Sequence, residues 1–314
     1  MRMKRFGYFL ALLLVCLAVC AQGEGFDAVF DRSRDADCLT VRFIDLGPSE
    51  QDSPGDCTII TSPGGEYVMV IDAGKKESRD YVFRALQAMN IDRIDYLVVS
   101  HPHGDHTGNM PEIMDTIPVL NLITSPVVEE TANNYKNYMA AMERNNIPHT
   151  IVSKGDVIPF GDVLVEVLWP EAVIEYPPDE YEGASFVNNH SLVMKFTYGE
   201  STYLTCGDLY MAGEKLVIDM YGDKLDVDVI KLSHHGKDTS SSSAWTKAVT
   251  AEVAVAEADT LYDVAMLKRF MRNGAQVYLT CLDGNIAIHM HADGTRTLVR
   301  ERADETPLLK RKAQ

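Results

Sequence analysis

The chain has 314 residues, 46% of them hydrophobic, enough to bury a sizeable core in one large α/β domain or two small ones, which excludes wholesale disorder. Its 46 acidic and 29 basic residues give a formal charge of −17, and removing residues 1–21 with Arg2, Lys4 and Arg5 takes this to −20. Such a balance disfavours unaided binding of nucleic acid, whose affinity comes largely from Lys and Arg neutralising phosphates, although a locally positive cleft stays compatible with it.

Residues 1–21 begin Met-Arg-Met-Lys-Arg and continue as an apolar run from Phe6 to Ala21. With the spacing Val19-Cys20-Ala21 they read as a secretory signal cleaved after Ala21, a membrane anchor being the alternative. A polar leader follows over 22–37, then one domain over 38–300 and a charged tail over 301–314. Leu39–Asp45 alternates apolar and polar residues as a half-buried strand does. Cys57–Thr61 and Tyr67–Ile71 form a hairpin about Ser62-Pro63-Gly64-Gly65. Ser78–Met89 reads as a helix with Tyr81, Val82, Leu86 and Met89 on one face, and Ile94–Val99 as a short buried strand. Beyond it come a strand over Val119–Thr124, a helix over Asn133–Asn145, and strands over Thr150–Val152, Val157–Phe160 and Val163–Leu168. Ser191–Phe196 and Thr202–Thr205 make a second hairpin. Val227–Leu232 is a strand and Tyr262–Arg272 a helix, and strands over Val277–Thr280, Ile286–Met290 and Thr297–Val299 close the chain. Runs of strands punctuated by single helices, in two successive halves, suit an α/β architecture of two facing sheets with helices outside, an αββα sandwich.

Six cysteines become four if residues 1–21 are removed, and Cys38, Cys57, Cys206 and Cys281 contain no Cys-x-x-Cys pair, so no zinc ribbon or dithiol motif is supported. Buried thiols on core strands are preferred over disulfides.

The informative segment is Leu97-Val-Val-Ser-His101-Pro-His103-Gly-Asp105-His106-Thr-Gly-Asn109. Three imidazoles and a carboxylate within six residues, directly after a buried strand, fill a core poorly but suit zinc-like metals, which take neutral imidazole nitrogen and carboxylate oxygen. His101 and His103 project alike while the backbone is extended and can share one ion; Asp105 and His106 then turn toward a second. A single closed structural metal site is the rival reading.

This segment resembles the metallo-β-lactamase superfamily, whose signature is His-x-His-x-Asp-His after a strand. Within it the chain is most similar, over about 39–290, to the hydrolase domain of ComEC-type competence proteins. Phe43-Ile-Asp45-Leu-Gly47 and Gly55-Asp56-Cys57 resemble that group's Asp-Val-Gly-Gln-Gly-Asp-Ala motif, split by an insertion from Pro48 to Pro54. Val70-Ile-Asp72-Ala-Gly74, Leu204-Thr-Cys-Gly207-Asp208 and Lys231-Leu-Ser-His234-His235-Gly236 resemble three further motifs. Tyr262-Asp263 departs from the group, where a His-Pro pair is expected.

The resemblance implies two divalent ions, zinc with manganese or iron as alternatives. One would be held by His101, His103 and His190, the other by Asp105, His106 and His234, with Asp208 bridging. His190, in Asn188-Asn189-His190-Ser191, is either that ligand or a hydrogen-bonded loop histidine, since competence-type domains often carry another residue there. Asp72 would fix a histidine tautomer, and His235, which cannot point the same way as His234, would shuttle protons. His149, His289 and His291 fit no motif and read as ordinary histidines. The expected activity is hydrolysis by a metal-bridged hydroxide, on a polymeric or small phosphodiester in the first reading. An ester, lactone or β-lactam is the second, and a metal-stabilised surface module of low turnover the third.

Overall fold

A computed structural model describes residues 22–23, 25–50, 53–176, 183–304, 306 and 308–310. The expected signal or anchor over 1–21 lies outside the described residues. The strands, in chain order, are β1 (Gln22–Gly23), β2 (Cys38–Phe43), β3 (Thr58–Thr61), β4 (Val68–Ile71), β5 (Tyr96–Val99), β6 (Leu122–Thr124), β7 (His149–Ile151) and β8 (Val157–Phe160). They continue as β9 (Val163–Trp169), β10 (Val193–Tyr198), β11 (Ser201–Thr205), β12 (Val229–Lys231), β13 (Val253–Ala256), β14 (Gln276–Leu279), β15 (Ile286–His291) and β16 (Arg296–Arg300). The helices are α1 (Phe26–Val29), α2 (Arg79–Ala88), α3 (Gly104–Thr107), α4 (Met110–Thr116) and α5 (Asn133–Arg144). After them come α6 (Ala184–Asn189), α7 (Met211–Tyr221), α8 (Ser243–Val249), α9 (Val264–Arg272) and α10 (Thr280–Asp283).

One sheet has the order β1-β16-β15-β2-β3-β4-β5-β6-β7 and the other β14-β13-β12-β11-β10-β9-β8. Alternate residues of both sheets face each other: Val41, Phe43, Ile60 and Met69 from the first meet Phe160, Val165, Phe196 and Tyr203 from the second in a single apolar layer. The opposite faces are covered separately. Val82, Leu86, Ile113 and Tyr138 of α2, α4 and α5 pack on the first sheet, and Val217, Trp245 and Phe270 of α7, α8 and α9 on the second. This is the αββα sandwich that the element order predicts, with the central strands of each sheet buried on both faces.

Two local expectations are corrected. β2 is buried along its whole length and not half-buried. Its outward Arg42 is covered by the polar leader, donating to Asp35 at 2.7 Å and to the carbonyl of Val29 at 2.8 Å, while Val29 and Phe30 join the core. Tyr81 does not share the buried face of α2 but is 41% exposed. Its ring packs against Gly47, where any Cβ would come within 2.2 Å of it. The tail expected from residue 301 is also tied down in part, since Arg302 donates to Asp45 at 2.9 Å.

The sheets converge at one edge. β4 and β5 run parallel, as do β11 and β12. The carboxyl ends of these four strands deliver Asp72, Ser100-His101, Asp208 and His234-His235 to the same place. Two backbone bonds stitch that edge: Leu192 N–H to the Ser100 carbonyl at 2.9 Å, and His234 N–H to the Gly207 carbonyl at 3.2 Å.

Candidate metal centre

The histidine segment leaves β5 extended and then turns sharply, since His103 caps α3 with φ −65° and ψ 153° and Asp105 and His106 lie in its helical turn. The turn is packed too tightly for side chains from neighbouring loops. At Gly55, with φ +95°, a Cβ would sit 1.6 Å from the Asp105 carbonyl oxygen. At Gly207, with φ +49°, one would press on the Ser100 side chain at 2.9 Å.

Asp208 is the point of convergence. Its Oδ2 lies 3.3 Å from His106 Nε2, 3.4 Å from His235 Nε2, 3.8 Å from His234 Nε2 and 3.9 Å from His101 Nε2. Asp105 joins the same cluster, with Oδ2 3.4 Å from His235 Nε2 and Oδ1 3.9 Å from His106 Nε2. His103 Nδ1 is 3.0 Å from His101 Nε2. Asp56, His106, Asp208 and His235 each offer a donor atom within 4.8 Å of the others and are all buried.

The outer nitrogens are held by the protein. Asp72, itself at φ +63°, accepts from His106 Nδ1 at 2.8 Å and from the Ser100 hydroxyl at 2.6 Å. That hydroxyl, its proton committed to Asp72, accepts from His101 Nδ1 at 3.0 Å. With Nδ1 so engaged, both rings present Nε2 inward as the nitrogen left for a cation. His235 is fixed in the same manner by Asp56, at 2.9 Å.

These residues fit a cation. His106 Nε2, His235 Nε2 and Asp208 Oδ1 are buried and lack any hydrogen-bond partner, and buried polar atoms are ordinarily paired. Asp56, Asp72 and Asp208 are sealed from solvent with Lys231 as their buried counter-ion, bound to Asp56. Burial alone would lower His106 and His235, but Asp208 and its fellow carboxylates raise both well above the ordinary histidine value. His101, where burial prevails with repulsion from His106 and His103, falls well below it. Beneath the cluster, burial and the neighbouring Asp56 push Glu257 up to about 8.

Most predicted residues are brought together: His101, His103, Asp105, His106, Asp208 and, behind them, Asp72. Two positions are corrected. His235 is the interior histidine, 1% exposed, and His234 stands at the rim, bound through Nδ1 to the Thr239 hydroxyl and packed on Tyr210. The inversion arises because both residues adopt left-handed backbone, φ +50° and +54°, which swings the second ring inward. His190 turns away. It stacks on Trp169 at 5.8 Å, its Nδ1 donates to the Phe186 carbonyl at 2.8 Å, and it lines a separate hollow. Asn188, two residues earlier near the end of α6, takes the place beside His103. Asp56, Lys231 and Glu257 belong to the centre although sequence reasoning gave them no role; Asp56 and Lys231 stood inside the recognised motifs, and Glu257 had no local signal.

The cluster opens into a cleft of about 740 Å³ whose lining includes Lys75, Lys76, Asn134, Asn188, Tyr210 and Lys237. The four cysteines Cys38, Cys57, Cys206 and Cys281 are free and buried. Among the described residues no helix is long and apolar enough to cross a membrane.

A model of the Metallo-beta-lactamase superfamily matches residues 51–256. The chain is 28% identical over 173 residues to ComE operon protein 3 of Bacillus subtilis, covering 55% of this chain and 21% of that protein. It is 24% identical over 205 residues to the uncharacterized protein YcaI of Escherichia coli, covering 64% and 24%. The matched stretch thus spans about a fifth to a quarter of these relatives' length. Among solved structures, the metallo-beta-lactamase fold protein YhfI from Bacillus subtilis aligns with a TM-score of 0.48 at 12% identity, over 76% of this chain and 96% of that one.

Proposed function

Because the chain belongs to the metallo-β-lactamase superfamily, we propose that it is a metal-dependent hydrolase of phosphodiesters working with two divalent ions. The observation that carries this reading is the single oxygen of Asp208 with four imidazole nitrogens within 3.9 Å. A carboxylate so surrounded can serve two cations at once. Asp105, His106, Asp208 and His235 would hold one, and His101, His103 and Asp208 the other, with Asn188 and His234 beside it. Bound there, the ions supply Lewis acidity and lower the pKa of water toward neutrality.

The chain's own residues do the rest. Asp72 and Asp56 orient His106 and His235 by holding their outward nitrogens, so that Nε2 of each is the one aimed at an ion. Lys75, Lys76 and Lys237 line the cleft together with Glu77, Asp105 and Asp208, and with the carboxylates turned to bound ions these three ammonium groups would favour a phosphodiester over a neutral ester or lactam. His234 is held neutral, its pKa brought down to about 4 by burial with Asp208 opposing. It lines the cleft as a neutral base that would accept the proton lost by an attacking water, and so takes the shuttling role expected of His235. The basic start and apolar run of residues 1–21 support export, and the substrate would then be extracellular.

Turnover of bis(p-nitrophenyl) phosphate by the zinc-loaded full chain tests this. Loss of that turnover in Asp208→Ala is expected. Hydrolysis of p-nitrophenyl esters or a chromogenic β-lactam with none of the phosphodiester would overturn the substrate class.

A further inference from the structure

We infer that Asp37, Cys38 and His291 form a second metal site, structural in role and of zinc type, separate from the cleft. Cys38 opens β2 and His291 ends β15, and the two are direct partners in the antiparallel register. Cys38 Sγ lies 3.5 Å from each ring nitrogen of His291 and 3.4 Å from Asp37 Oδ1. His291 Nδ1 is 3.6 Å from Asp37 Oδ2. A tetrahedral zinc with bonds of about 2.3 Å to sulfur and about 2.0 Å to nitrogen or oxygen sets its donors roughly 3.3–3.5 Å apart. Cys38 Sγ stands at those separations from both partners, and His291 Nδ1 is within about 0.1 Å of them from the other Asp37 oxygen.

The equal distances to both nitrogens mean that the ring meets the sulfur broadside. Coordination requires the imidazole to turn until one lone pair points at the shared centre, and its side chain, 33% exposed, has the room. The sulfur approaches from the interior, with Cys38 1% exposed, while Asp37, 77% exposed, closes the outer side. A fourth position is left to water. Soft thiolate beside imidazole selects zinc-like ions over magnesium or calcium.

The placement gives the site a task. Asp37 ends the segment whose Asp35 neutralises the buried Arg42 of β2. An ion joining Asp37 to β2 and β15 would fasten that segment over the outer face of the sheet. The cleft lies beyond the opposite end of β2, where Ile44 N–H donates to Glu257, roughly 17 Å of strand away.

The cleft offers only nitrogen and oxygen donors, so sulfur is a private label for the second site. We expect chelator-treated full chain titrated with Co²⁺ to develop a near-ultraviolet thiolate-to-cobalt charge-transfer band. That band is expected to persist in Asp208→Ala, to vanish in Cys38→Ser, and to need at least about tenfold more cobalt in His291→Gln, which keeps the sulfur should Cys38→Ser not fold. A chain with excess cobalt and no thiolate band, a band that survives Cys38→Ser, or one insensitive to His291→Gln would overturn the assignment.

Discussion

Nδ1 of His235 donates to Oδ1 of Asp56 at 2.9 Å, across 179 positions of sequence. The other oxygen of Asp56 pairs with Lys231, which is 2% exposed. One carboxylate therefore does two things: it orients an imidazole toward the centre of the cluster and neutralises a buried ammonium that Asp56 and Glu257 hold above its ordinary value against burial.

These roles separate by mutation. Asp56→Asn is expected to weaken zinc binding about 10–100-fold, the usual cost of losing a carboxylate behind a metal-bound histidine. It should also lower stability by about 3–5 kcal/mol, because Lys231 is left buried and unpaired. Adding Lys231→Met should restore much of the stability but not the affinity. Competition with a chelator and urea unfolding read the two quantities, and recovery of zinc affinity in the double variant would show that Asp56 acts as a counter-ion alone.

The histidines divide in the same manner. His235→Ala should strip metal from the protein, whereas His190→Ala should leave metal content intact and turnover within about twofold. The latter's cost is lost packing on Trp169 and Phe186, about 1–2 kcal/mol. Metal analysis after gel filtration decides; a His190→Ala protein depleted of metal would restore the ligand set expected from sequence.

What the sequence made legible and what it hid have physical reasons. Periodicity and turn signals located β2, the β3–β4 hairpin and α2: Thr40 and Arg42 alternate with apolar residues along β2, Pro63-Gly64-Gly65 marks the hairpin, and α2 buries Val82, Ala85 and Leu86 on one face. These signals missed α4, α7 and α8, and the outward face of β2 looked polar because Arg42 is buried through partners upstream of its strand, chiefly Asp35, seven residues before it. In the centre, the cluster from His101 to His106 was readable because its residues are local. The choice between His234 and His235 was not, since it depends on two positive φ angles. Nor was His190 against Asn188: the aromatic wall formed by Trp169 and Phe186 captures the imidazole, and nothing near position 190 announces that wall.

At the cleft mouth, Lys76→Ala and Lys237→Ala should each lower kcat/KM for bis(p-nitrophenyl) phosphate about 2–5-fold, corresponding to roughly 0.5–1 kcal/mol for a solvated charge contact. Hydrolysis of a neutral ester should be unmoved. The effect should shrink in high salt as screening replaces the lysines. Equal losses on charged and neutral substrates would remove the lysines from substrate recognition.

His289 provides a pH test remote from the cleft. Burial, with Arg42 next in effect, brings its pKa down to about 4, and its Nδ1 meets the Thr40 hydroxyl at 3.1 Å. An unfolded histidine titrates near 6.5. Between these values the unfolded chain holds the proton and the folded one does not, so stability is complete above pH ~6.5 and falls as pH drops toward 4. At 1.36 kcal/mol per pKa unit the loss approaches about 3 kcal/mol. Urea unfolding of chelator-treated wild type and His289→Asn at the two ends of that range isolates the contribution, since every other titrating group is common to both. The wild type should lose about 3 kcal/mol more than the variant on acidification; equal losses would mean that the folded protein protonates His289 as readily as the unfolded chain does.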